Sequence, residues 1–107
     1  VTDKEMGSKI RAGNFVENNG RVLRAINILR TKYNKLSGIK YALNINEGEV
    51  ADSVNFLHEE GYIHLRVIEN KAPSSLADAS FDMLEAKLTS KGIRLLAGGL
   101  SDNCINI

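Results

Sequence analysis

Side chains able to do acid–base, nucleophilic or metal chemistry are few and scattered. His58 and His64 are the only imidazoles, Cys104 is the only thiol, and Glu59 and Glu60 form an adjacent carboxylate pair. Acid–base or nucleophilic catalysis needs two such groups aimed at one atom. Glu59 and Glu60 are neighbours in a stretch of helical periodicity, so they point to different sides, and the histidines fall on different elements. Cys104 has no basic neighbour in sequence to activate it. One cysteine forms no intramolecular disulfide, and with two histidines it makes no zinc ligand set. Gly98-Gly99 closes a helix rather than opening one, which argues against a phosphate loop. No catalytic residue, cofactor, metal ligand or small-molecule ligand is therefore expected, and the chain reads as a binding module rather than an enzyme.

What remains is charge. The net value of +1 over 107 residues hides an asymmetry: residues 1–40 carry nine Lys or Arg against three acids, a balance of +6. Residues 41–70 carry six acids against Arg66 alone, a balance of −5, and the remainder is neutral. Complementary halves suit antiparallel self-association, as in a dimer. No run approaches the ~20 apolar residues of a membrane helix, and no secretion signal opens the chain, so a cytoplasmic protein with no membrane partner is expected.

The elements that must position these charges are organised around Asn46 to Ile63. Asn46 is placed to cap a helix start, with Glu49 reaching back in a capping box. Val50, Val54 and Leu57 recur at intervals of four and three, with Ala51 beside them, as one apolar stripe. Gly61 suits the left-handed residue that ends a helix, and a strand follows with Tyr62, His64 and Arg66 on one side and Ile63, Leu65 and Val67 on the other.

Upstream, Asn18-Asn19-Gly20 reads as a turn and cap. A helix from Arg21 to Lys35 then buries Val22, Ile26, Leu29 and Tyr33, with Leu23 and Ile28 widening the stripe. Residues 2–12, with Thr2 and Glu5 as a capping pair and Met6 and Ile10 four apart, form either a frayed arm or an extra short helix. A short second helix is expected around Ile39, Ala42 and Leu43, and Glu69 to Ser75 is a turn-rich wing. Residues 75–88 fit both a helix capped by Ser75 and Asp78 and a returning strand; the strand, over 78–87, is expected because the first strand otherwise keeps an unpaired edge. Thr89 caps a last helix from Ser90 that buries Ile93, Leu95, Leu96 and Ala97, and Gly98-Gly99 ends it. Ser101 to Ile107 is expected to be a disordered tail, although Cys104 to Ile107 alternates as an added edge strand would.

Ser53-Val54-Asn55-Phe56-Leu57-His58-Glu59-Glu60-Gly61-Tyr62-Ile63, followed by Leu88-Thr89-Ser90-Lys91-Gly92, resembles the paired signature of small bacterial winged-helix proteins. In detail Arg21 to Gly98 most resembles the YjcQ-like family, which is bacterial and phage-associated and has no assigned role. The resemblance implies an α+β winged helix-turn-helix: a three-helix core, a two-stranded β-wing and a C-terminal helix. The expected organisation is an arm or short helix over 1–18, a winged-helix domain over 19–98 and a tail over 99–107.

The resemblance also implies DNA binding, with the third helix in the major groove. Between Asn46 and Glu60 there are five acids and no Lys or Arg, whereas a groove-reading helix faces phosphate. Two readings follow. In one, the acidic third helix meets a protein partner or a second copy through Glu49, Asp52, Ser53, Phe56 and Glu60. In the other, the basic half contacts DNA phosphates through Arg21, Arg24, Arg30, Lys32 and Lys35, with Lys71 at the wing. Phe56 sits off the centre of the apolar stripe, either flanking the core beside Phe15 and Tyr41 or exposed as an anchor.

Overall fold

The computed structural model describes residues 3–107, with side chains for all of these but 4–5 and 7–13. Among the described residues the fold is α+β, with four α-helices and one three-stranded antiparallel sheet. In chain order the elements are α1 (Asp3–Asn27), β1 (Asn34–Lys35), α2 (Leu36–Leu43), α3 (Glu47–Glu59), β2 (Ile63–Val67), β3 (Leu84–Leu88) and α4 (Ser90–Leu96). The strands lie in the order β1-β3-β2, with Leu65 opposite Ala86 and Asn34 opposite the same Ala86 on its other edge.

The first helix differs most from expectation. The turn expected at Asn18-Asn19-Gly20 does not form, and α1 runs unbroken through it. Those residues serve tertiary packing instead. Asn18 donates to Glu49 on α3, Asn19 donates to the Cys104 carbonyl at 3.0 Å, and a Cβ on Gly20 would lie 1.8 Å from the Asn106 carbonyl oxygen. Turn-forming residues inside a helix are tolerated when their side chains meet partners that a turn would not give them. The expected Thr2–Glu5 cap lies outside the described residues.

α1 also ends eight residues short of the expected Lys35, at Asn27. The Asn34 side chain donates to the Ile26 carbonyl at 3.3 Å, satisfying an acceptor that another turn of helix would have used. Only Val22, Leu23 and Ile26 of the expected stripe are therefore buried, whereas Ile28 and Leu29 are exposed. Tyr33 falls after the helix, where the Arg66 guanidinium lies 3.5 Å from its ring centroid.

α2 is short, as expected, and buries Leu36 and Ile39 before Asn44 ends it in the left-handed region at φ 53°. The α3 start is the expected cap: Asn46 Oδ1 accepts from the Glu49 amide at 2.9 Å, and Asn46 Nδ2 donates back to the Glu49 carboxylate at 3.1 Å. Val50, Val54 and Leu57 are fully buried against α1 and the sheet, and Gly61 turns the chain at φ +81° into β2.

The ambiguous stretch 75–88 divides rather than choosing. Ser75 Oγ donates to Asp78 and the Ser75 carbonyl accepts from the Asp78 and Ala79 amides, so the cap signal makes a turn. A single 3-10 turn, Phe81–Met83, then leads into β3, which begins six residues later than expected, at Leu84. The outer edge of β2 is covered by the loop folding back: Val67 donates to the Ala72 carbonyl, Ser74 to the Leu65 carbonyl, and Arg66 pairs with Pro73. Beneath the loop, buried Glu85 meets Lys71 at 3.2 Å and Arg66 at 3.5 Å.

The tail is ordered and adds no strand. Ile105 is buried in the core, the Asn106 amide donates to the Val16 carbonyl, and Arg24 donates to the Asn106 carbonyl.

Candidate functional site

The acidic helix α3 presents two flanks beside its buried stripe. Glu49, Asp52, Phe56 and Glu60 lie toward one, and Glu47, Ala51, Asn55 and Glu59, spaced by four, lie along the other. Contacts identify the first as the flank against α1. Glu49 accepts from Asn18, and Phe56 meets Phe15 edge to face with centroids 5.4 Å apart. Asn14, Phe15 and Asn18 of α1 with Glu49 and Asp52 of α3 line a cleft of about 140 Å³.

The five residues expected to meet a protein partner are therefore split. Ser53 is fully buried with an unpartnered hydroxyl, so packing removes it from the surface. Phe56 is half-buried as a flank of the core, beside Phe15 as expected but without Tyr41, which is 90% exposed on α2. Glu49 is held by Asn18 and Asn46, whereas Asp52 and Glu60 remain exposed. The open flank is Glu47, Asn55 and Glu59; spacing by fours groups these residues in the sequence, and the packing of α1 on the other flank leaves this one open. Glu47 lies 3.9 Å from Lys40 of α2.

The basic residues do not form one free surface. Arg21 donates to the Leu43 carbonyl, Arg24 to the Asn106 carbonyl and Arg30 to the Asn27 side chain. The first two bonds bind α1 to α2 and to the tail, and the third is local to the end of α1. Lys71, in the left-handed region at φ 61°, is turned onto Glu85. Lys32 and Lys35 are exposed.

α3 is fixed at its far end by the Leu88-Thr89-Ser90-Lys91-Gly92 segment. Thr89 Oγ1 donates to the Gly61 carbonyl and accepts from the Gly92 amide, while Lys91 Nζ donates to the Glu60 carbonyl at 2.9 Å. Gly92 lets the Tyr62 carbonyl approach, since a Cβ there would stand 2.3 Å from that oxygen. Tyr62 in turn donates to Asp102 at 2.6 Å. Burial, then this hydrogen bond, raises the Tyr62 pKa well above the ordinary tyrosine value.

His58 is half-buried on α3, His64 is exposed on β2, and Cys104 is exposed in the C-terminal segment. Among the described residues no three His, Cys, Asp or Glu side chains converge as metal ligands, and no helix is long and apolar enough to cross a membrane. Set against known proteins, the chain matches no family model, no curated protein and no solved structure.

Proposed function

We propose that this chain is a non-enzymatic winged-helix interaction module that meets a protein partner, or a second copy of itself, through its acidic third helix. The element order helix–strand–helix–helix–strand–loop–strand and the sheet order β1-β3-β2 support the winged-helix part of this reading, as does the cap that joins α3 to α4. A YjcQ-like relationship is consistent with the same features. The observation that carries the functional part is the open flank of α3, where Glu47 and Glu59 are exposed and no cation occurs on the helix. A surface of that charge repels phosphate and attracts a basic protein face.

The second reading, a DNA-binding transcriptional regulator, is favoured by exposed Arg24, Arg30, Lys32 and Lys35. One experiment separates the two: binding to a labelled generic duplex at low salt, with a salt titration and the solution mass of the same sample. The interaction module gives no salt-steep duplex binding. Micromolar binding that weakens steeply with salt and is lost in Arg24→Glu or Arg30→Glu would replace it with the regulator.

A further inference from the structure

A second surface lies apart from α3, in the angle between the end of α1 and α2. Ala25, Ile28 and Leu29 form one wall and Ile39 and Ala42 the other, around an open groove of about 270 Å³. Ile28 is 80% exposed and Leu29 52% exposed, because α1 ends at Asn27 and leaves the rest of its apolar stripe uncovered. Two large aliphatic side chains open to water beside one groove constitute an apolar patch that association would bury.

Gly38 lines the same groove, within α2. A Cβ built there meets nothing within 4 Å, and its φ is not positive. Neither close packing inside the fold nor backbone geometry asks for glycine, which weakens a helix relative to alanine. Its effect is to leave the wall of the groove open to an approaching backbone.

Charge identifies the occupant. From Asn18 to Asn46, the stretch that builds both walls, there are six Lys or Arg and no acid. Lys35 lines the groove, and exposed Arg30 follows Leu29 in the turn after α1. We propose that this groove docks an amphipathic helix of another protein, with apolar residues at i, i+3 or i+4 and i+7 and acidic flanks. Among the described side chains, the segment that joins an apolar stripe to acidic flanks is α3, and its stripe of Val50, Val54 and Leu57 is fully buried in its own core, so α3 of a second copy does not supply that helix. The inference goes beyond the winged-helix reading and does not rest on it.

The test is fluorescence anisotropy with a panel of labelled synthetic helices of about 16 residues, carrying Leu at the docking positions and Glu on the flanks. Matched peptides replace Glu by Lys, or Leu by Ser. The expected result is Kd on the order of micromolar for the acidic apolar helices, weakened at least about tenfold by either peptide change. Ile28→Glu and Gly38→Gln on the protein weaken it by a similar factor. Both positions are open, so both variants keep the wild-type circular dichroism spectrum, Ile28→Glu keeps the thermal midpoint, and Gly38→Gln, which removes a helical glycine, melts no lower than wild type. Absence of binding across the panel, equal binding of the Lys-flanked peptide, or indifference to both protein variants would overturn the proposal. So would a solution dimer that Ile28→Glu dissociates, since the groove would then belong to a second copy.

Discussion

Thr89 Oγ1 donates to the Gly61 carbonyl at 2.6 Å and accepts from the Gly92 amide at 3.1 Å, so one hydroxyl ties the end of α3 to the start of α4. Thr89→Val keeps the shape and removes both bonds. It is expected to lower unfolding free energy by about 1–2 kcal/mol, as loss of a helix cap with a second partner left unsatisfied. Thr89→Ser retains most of that stability. Gly92→Ala drives a methyl onto the Tyr62 carbonyl and loses about 1–3 kcal/mol by overpacking. Urea unfolding monitored by circular dichroism checks all three; a Thr89→Val variant as stable as wild type would show that the hydroxyl is not needed.

The C-terminal segment is held to α1 through Gly20. A Cβ there would stand 1.8 Å from the Asn106 carbonyl oxygen, a backbone atom, so Gly20→Ala must lift the segment off the helix. The expected signature is local: the Asn106 amide, bonded to the Val16 carbonyl, loses its protection against hydrogen exchange while α3 amides keep theirs. Uncovering Ile105 adds a stability loss of about 1–3 kcal/mol. Unchanged protection at Asn106 would contradict the packing described.

These two contacts mark where sequence reading succeeds and where it stops. The α3 cap, Gly61, the short α2 and the Thr89 cap were legible because each depends on residues at most a few positions apart. Asn18-Asn19-Gly20 was misread because its partners, Glu49, Cys104 and Asn106, are distant in sequence and local propensity cannot register them. The same holds for the end of α1, which depends on Asn34, and for the tail, whose one deeply buried residue is Ile105. At the candidate site, acidity was readable, but which flank of α3 is open depends on where α1 packs. That left Ser53 among the expected contacts and Glu47 and Glu59 outside them.

Tyr62 gives the fold an alkaline limit. Its hydroxyl is buried and donates to Asp102, so ionisation would put a phenolate in a desolvated place beside a carboxylate. The folded-state pKa is raised above the unfolded value of about 10. A raised value contributes stability that is fully present below the unfolded pKa and is lost as pH rises toward the folded one. Tyr62→Phe is expected to be less stable at neutral pH by about 1.5–3 kcal/mol, for one hydrogen bond to a charged group. The gap then narrows above about pH 10, by about 1.4 kcal/mol per pH unit. Urea midpoints for both proteins from neutral pH to about pH 11 measure this, and a gap that stays constant would refute the linkage.

The acids on the open flank of α3 make a prediction about docking itself. Glu47 and Glu59 are exposed on the side turned away from α1, where a winged helix would face the major groove. If charge is what keeps this helix from DNA, the double variant Glu47→Lys, Glu59→Lys gains duplex binding. Each exchange moves local charge by two units, so the flank becomes cationic without touching the buried stripe. Each new phosphate contact steepens the dependence of log K on log salt by about 0.9, so two contacts steepen it by about 1.8. Affinity at low salt is expected to rise at least about tenfold over wild type. The exchange at Glu47 removes a favourable charge from the helix start and a weak pair with Lys40, a loss of about 1 kcal/mol that leaves the fold intact. Lysine at position 59 suits the helix C-terminus. A folded double variant with wild-type duplex affinity would mean that this flank does not approach phosphate even when its charge invites it, and the winged-helix assignment of the face would fall with it.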